Sequence, residues 1–155
     1  MGQAIFRVLV VDDYERWREF VSTTLEKKSD LTIIGEASDG AEAVKQAQEL
    51  QPDLILLDIG LPRLNGIEAA KQIHDVSPAS KVLFLSENRS RETVEAALSI
   101  PASGYILKSD AARELLPAIE AALQGKRFVS ARLAKRGSAG SDVEAQEGGE
   151  RSEVE

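Results

Sequence analysis

Five short apolar runs punctuate the chain, and helix-spaced patterns fill the intervals between them. Phe6-Arg7-Val8-Leu9-Val10-Val11 ends on Asp12-Asp13, and a second run extends from Leu31 to Ala37. Leu54-Ile55-Leu56-Leu57-Asp58 is the third, Lys81 to Ser86 the fourth, and Gly104 to Lys108 the fifth. These runs are nearly continuous rather than alternating, which suits strands buried on both faces, as in a parallel sheet. After the first run Trp17, Phe20, Val21, Thr24 and Leu25 recur at helical spacing. Asp39-Gly40 opens a helix through Ala47 that ends before Pro52, and Asn65 is a natural N-cap for a helix over Gly66–Val76, stopped by Ser77-Pro78. Ser90 caps a helix over Arg91–Leu98. Leu115, Leu116, Ile119 and Leu123 mark the last helix, with Gly125 at its C-terminal end. Pro117 interrupts that segment and is best tolerated if the regular helix begins just before it.

Strand and helix alternating five times demand parallel strands with right-handed crossovers, hence an α/β, doubly wound five-stranded sheet. Ligands of such sheets sit outside the carboxyl ends of the strands, where the winding reverses. The chain divides into one domain over 1–125, a basic linker or helix extension over 126–136, and an acidic tail over 137–155 expected to be disordered.

Length and composition agree with that division. The 155 residues hold one core of ordinary size, and the 43% hydrophobic and 29% charged content is that of a globular protein. No second domain, and so no output domain, is expected in the residues after Gln124. With no cysteine and a single histidine, His74, thiolate and zinc sites are excluded. Any metal must be held by oxygens, which points to hard divalent ions. No apolar run reaches the roughly 18–20 residues of a membrane span, and the N-terminus lacks the regions of a signal peptide. A cytoplasmic location is expected. The net charge is −7, but residues 137–155 carry six acids against one base, Arg151. The remainder is nearly neutral, and nothing in it advertises a nucleic-acid surface.

The polar residues that close the apolar runs carry the chemistry. Asp12 and Asp13 end the first strand, Asp58 the third, Ser86 the fourth and Lys108 the fifth. Carboxylates crowded into one crevice raise one another's pKa unless a cation sits among them. Lys108 and the Ser86 hydroxyl complete a cradle suited to the oxygens of a phosphoryl group. Asp58, central in the sheet, is the best acceptor, because an aspartate can take phosphate as an acyl phosphate.

The ordered set Asp12-Asp13, Asp58 with Pro62 and Gly66, Ser86 and Lys108 resembles the receiver domain of bacterial response regulators, over roughly residues 5–125. The stretch Gly104 to Asp110, with Gly125-Lys126-Arg127-Phe128, looks most like the NarL/FixJ-type branch. The resemblance implies a flavodoxin-like (βα)5 fold with strand order 2-1-3-4-5. It implies a signalling domain that phosphorylates only itself rather than an enzyme acting on other substrates. Asp58 would be the phosphoacceptor, with Asp13, Asp58 and the backbone carbonyl of Gly60 on Mg²⁺ (or Mn²⁺) and Asp12 holding a metal-bound water. Lys108 and Ser86 would contact the phosphoryl oxygens, and Ser86 with Tyr105 would form the switch. The implied partners are a sensor histidine kinase or phosphotransfer protein and a downstream protein at the face of the fourth helix, fifth strand and fifth helix, with a weak homodimer as a further arrangement. Direct nucleic-acid binding and membrane association are not expected. Glu87, Ser109 and the stretch 99–102 depart from the usual pattern, and none of them removes a ligand.

Taken singly, each feature has a plainer meaning. Asp12-Asp13 can end a strand and cap a helix, Asp58 can open a turn, Ser86 can cap, Lys108 can be solvated, and Tyr105 can be packing. His74 reads as a solvated helix residue and Trp17 as a core-facing aromatic. Their joint fall on successive strand ends favours the site. Among other functions, a DNA-binding regulator would need an output domain. An aspartate-nucleophile phosphatase of the haloacid dehalogenase kind would want an acid where Gly60 stands. A flavodoxin would want a Gly/Ser/Thr loop rather than two acids after the first strand.

Overall fold

The computed structural model describes residues 4–134. In chain order the elements are β1 (Phe6–Val11), α1 (Glu15–Leu25), β2 (Leu31–Ala37), α2 (Gly40–Leu50), β3 (Leu54–Asp58), α3 (Gly66–Val76), β4 (Lys81–Ser86), α4 (Arg91–Leu98), β5 (Ser103–Leu107) and α5 (Ala111–Leu123). All strand pairs are parallel and the order is β2-β1-β3-β4-β5. The expected doubly wound topology is therefore present, with the reversal of winding between β1 and β3.

Successive strand residues serve opposite faces, which explains the unbroken apolar runs. Leu9, Val11, Ile55, Leu57, Phe84 and Leu107 enter one core with Ala43, Ala69, Ile73 and Ala97 of α2, α3 and α4. Val8, Val10, Leu54, Leu56, Leu85 and Ile106 enter the other, with Val21 and Leu25 of α1 and Leu115 and Ile119 of α5. Small alanines on α2, α3 and α4 face this first core, and α2 and α3 pack against each other.

The helix caps read from the sequence are made. Asn65 accepts from the N–H groups of Ile67 and Glu68, and Ser90 from that of Thr93. Asp39 accepts from Glu42 N–H, so α2 begins at Gly40 directly after this cap. At the end of α5, Gly125 has φ 79°, the N–H of Lys126 bonds to Ala121 O at 2.9 Å and that of Gly125 to Ala122 O at 3.0 Å. This is the Schellman arrangement a C-terminal glycine permits.

The last helix does not begin just before Pro117: α5 starts at Ala111, led in by a 3₁₀ turn over Lys108–Asp110, and Pro117 lies well inside it. Pro117 and Arg113 one turn earlier are both exposed, so the interruption falls on the solvent-facing side of α5, where a carbonyl without its helical donor costs least. The stretch 126–136, over its described part, is neither a free linker nor an extension of α5. It turns back and docks on the outer edge of β5. Tyr105 N–H donates to Phe128 O and Ser130 N–H donates to Tyr105 O, both at 2.9 Å, forming a parallel bridge between Tyr105 and Val129. Arg127 Nε donates to Ser103 O at 3.0 Å, and Leu107 N–H to Ser130 Oγ at 2.8 Å. The Ser130 hydroxyl donates to the Glu114 carboxylate at 2.6 Å, a short helical turn over 131–134 follows, and Leu133 is buried against the first core. The basic residues misled: Arg127 and Arg132 are anchors, the latter on Asp110 at 2.8 Å. Residues 135–155, including the expected acidic tail, lie outside the described residues.

Candidate functional site

The reversal of winding puts the carboxyl ends of β1 and β3 side by side, with β4 and β5 beyond. Asp12 is fully buried behind β1; one carboxylate oxygen accepts from Tyr14 N–H at 2.8 Å and the other receives Lys108 Nζ at 2.6 Å. Asp13 is exposed, and one oxygen each from Asp12, Asp13 and Asp58 lie within 4.8 Å of one another. Asp58 ends β3, half-buried, with Oδ1 accepting the N–H of Ile59 at 2.8 Å and Oδ2 lying 3.6 Å from Lys108 Nζ.

Burial pushes the Asp58 carboxyl above its ordinary range; the Lys108 ammonium opposes this, the neighbouring Asp12 adds to it, and hydrogen bonds from Ile59 and Gly60 N–H partly offset it. This is the conflict expected when carboxylates crowd at a strand end. Three convergent carboxylates with oxygen as the only donor type fit a hard divalent cation such as Mg²⁺. Such an ion would supply positive charge against an incoming anion.

Gly66 fixes the loop that carries Asp58. Its N–H bonds to Ile59 O at 2.8 Å, and a Cβ there would overlap the Asp58 carbonyl oxygen. The Pro62-to-Gly66 spacing thus has a local cause: the loop must fold back onto the end of β3 before α3 can start. Gly60, by contrast, faces open space, so its position two residues after Asp58 does not rest on a steric need for glycine.

Ser86 is buried at the end of β4, and its Oγ accepts the N–H of Asn88 at 3.0 Å. Tyr105 is fully buried, with its hydroxyl donating to Asn88 O at 2.6 Å. Asn88 therefore ties the two residues through one backbone position. Sequence reasoning missed it, although Asn88 two residues before the Ser90 cap is a turn signal, and its side chain accepts from Ser90 N–H at 2.9 Å. Lys108 begins the 3₁₀ turn rather than ending β5, so the strand's last residue is Leu107. Trp17, expected to be structural, packs beside the second core but also presents its ring to Lys108 Nζ, 4.9 Å from the centroid. Arg18, also unforeseen, donates to Asp12 O at 2.7 Å while paired with Glu36 at 2.9 Å, bracing the β1 end from outside. His74 is exposed on α3 and takes no part.

The family model for the response regulator receiver domain matches residues 8–120. The chain is 38% identical over 130 residues to the transcriptional regulatory protein LiaR of Bacillus subtilis, covering 84% of this chain and 62% of that protein. It is 34% identical over 126 residues to the nitrate/nitrite response regulator protein NarL of Escherichia coli K12, covering 81% and 58% respectively. A crystal structure of a LuxR-family two-component response regulator from Aurantimonas sp. SI85-9A1 superimposes with TM-score 0.85 at 31% identity, covering 90% of this chain and all of that one. The chain belongs to the response regulator receiver domain family, on the side of it where NarL and LiaR stand. It spans less than two thirds of the length of those two regulators. Among the described residues no helix is long and apolar enough to cross a membrane.

Proposed function

We propose that Asp58 accepts a phosphoryl group from the phosphohistidine of a sensor histidine kinase or phosphotransfer protein. The observation that carries this reading is the convergence of Asp12, Asp13 and Asp58 oxygens within 4.8 Å, with the Lys108 ammonium 3.6 Å from the Asp58 carboxylate. An Asp58 oxygen forms the new O–P bond as the P–N bond of the donor breaks, and the imidazole leaves with the electron pair. Asp13, Asp58 and the Gly60 carbonyl would hold Mg²⁺ or Mn²⁺, with Asp12 acting through a water. Lys108 and the Ser86 hydroxyl would take the phosphoryl oxygens, and the transfer would end on the domain's own Asp58. The domain works in the cytoplasm, where such donors are found.

The signal leaves through Ser86 and Tyr105. When Ser86 turns to the phosphoryl group it gives up Asn88, and Tyr105, bonded to the same residue, responds. The downstream protein meets α4 and α5 and the segment that lies over the edge of β5; self-association on this face is weak, and nucleic acid is not a direct partner of this domain. Incubation with acetyl phosphate and Mg²⁺ tests the acceptor. The intact chain gains the mass of one phosphoryl group, and Asp58→Asn gains none; labelling that persists in that variant would falsify the assignment.

A further inference from the structure

Lys108 has three neighbours in the site, and one of them is not a carboxylate. Its Nζ lies 2.6 Å from Asp12 Oδ2, 3.6 Å from Asp58 Oδ2 and 4.9 Å from the centroid of the Trp17 ring. The side chain of Lys108 is only 13% exposed, so water cannot freely replace any of these partners. An ammonium within about 6 Å of an indole face is attracted by the negative face of the ring, more strongly where water is excluded.

The ring is itself held. Trp17 stands in the first turn of α1, five residues after Asp12, with its N–H on Tyr14 O at 3.1 Å. It lies against Phe20 with centroids 4.9 Å apart and planes tilted by 36°, and both rest on the core shared by α1 and α5. Asp12 and Trp17 therefore reach Lys108 from one short stretch of chain, one as a charge and one as a surface.

These two partners differ in what else they must do. Asp12 and Asp58 belong to the carboxylate group that fits a cation, so their negative charge is shared once that group is engaged. The Trp17 face takes no part in that group and competes for nothing. We propose that Trp17 is a positioning residue for Lys108: its ring keeps the ammonium turned toward Asp58 when the carboxylates are otherwise engaged. This role rests on the reading of Asp58 as phosphoacceptor. Trp17 touches no phosphoryl oxygen itself and acts only through Lys108.

The test uses the whole chain with Trp17→Leu, which keeps the apolar packing and removes the face, and Trp17→Phe, which keeps a smaller face. Trp17→Met replaces the leucine variant if that one does not fold. In wild type the Lys108 Hε protons are shifted upfield by the ring current, a signature that needs no phosphorylation; Trp17→Phe retains part of it and Trp17→Leu none. With acetyl phosphate at saturating Mg²⁺, Trp17→Leu gains mass about fivefold more slowly, the factor carried by about 1 kcal/mol of cation–π attraction. Trp17→Phe recovers most of the rate, and Mg²⁺ affinity followed by amide shifts is the same in all three. In a Lys108→Met background the leucine change adds no further loss. Loss by the same factor in that background, an equal rate in wild type and Trp17→Leu, or an absent ring-current shift overturns the positioning role alone. A wild-type chain that gains no mass overturns the acceptor reading of Asp58, and this role with it.

Discussion

Tyr105 donates its hydroxyl to the backbone carbonyl of Asn88 across 2.6 Å, and the N–H of the same residue is held by Ser86. The buried ring and the buried hydroxyl at the end of β4 thus share one anchor, and neither can move without disturbing the loop into α4. Ser86→Ala should leave Asp58 open to phosphorylation while weakening the response of α4 and α5. Amide-shift mapping with and without beryllofluoride checks this, and changes of full wild-type extent on both helices would refute the coupling. Tyr105→Phe should cost about 1 kcal/mol in denaturant unfolding, the usual worth of one hydrogen bond.

The raised pKa of Asp58 gives a pH signature. Because burial lifts the folded-state value above the ordinary carboxylate range, the folded protein holds that proton more tightly than the unfolded chain does. Stability from this group is therefore greatest in acid and is lost as pH rises from the unfolded value through the folded one. Asp58→Asn should raise the metal-free Tm at neutral pH, and its advantage should shrink as pH falls below the ordinary aspartate range. Thermal melts of both proteins across pH decide it; a variant less stable than wild type at neutral pH would count against the crowding described here.

Trp17 is the only tryptophan, and its ring lies over Lys108, whose nearest partner is Asp12. Titration with Mg²⁺ should therefore change its fluorescence. Asp13→Ala removes one of the three convergent carboxylates and should weaken the apparent affinity at least tenfold, in line with losing a charged ligand of a hard cation. Equal midpoints in the two titrations would remove Asp13 from the site.

Gly66→Ala should destabilise the fold by about 3 kcal/mol, because the added methyl displaces the end of β3 from a close-packed position. The same change should slow phosphorylation more than it alters far-UV circular dichroism, since the displaced atom is the Asp58 carbonyl. Full activity in that variant would mean the loop has more room than the geometry allows.

Ser130→Ala leaves the Leu107 N–H without its acceptor and takes the 2.6 Å donor from Glu114 Oε1, while Oε2 keeps the Ala131 N–H at 3.2 Å. An expected loss of about 2 kcal/mol follows from orphaning buried polar groups. Amide exchange at Tyr105 and Leu107 should accelerate with it, and unchanged protection there would show that the segment is held by other contacts.

Legibility in the sequence tracked how local each cause is. The spans of α3 and α4 follow from Asn65 and Ser90, whose side chains cap within three residues, and the strands follow from apolar runs that only a sheet covered on both sides can bury. The convergence of Asp12, Asp13, Asp58 and Lys108 is legible in the sequence, because the order of the strands gathers the ends that carry them. The rule against internal proline misplaces the start of α5, because that rule weakens on the solvent-facing side of a helix, where Pro117 stands. Asn88 acts through its backbone, which no residue type advertises, and the docking of 127–134 depends on Glu114, Asp110 and Ser103, distant in sequence and unremarkable in type. Lys108 over Trp17 joins the two ends of the domain, and no spacing rule connects them.

The segment laid along β5 has a consequence for how copies of this domain can meet. It takes the Ser103 carbonyl, both backbone groups of Tyr105 and the Leu107 N–H, so that border of the sheet has little left to offer another chain. Among the described residues the sheet's other border is β2, on the far side. Growth of a strand-by-strand filament needs two complementary borders, one to give and one to receive. A particle with a single such border can join one twin, back to back, and there the assembly closes.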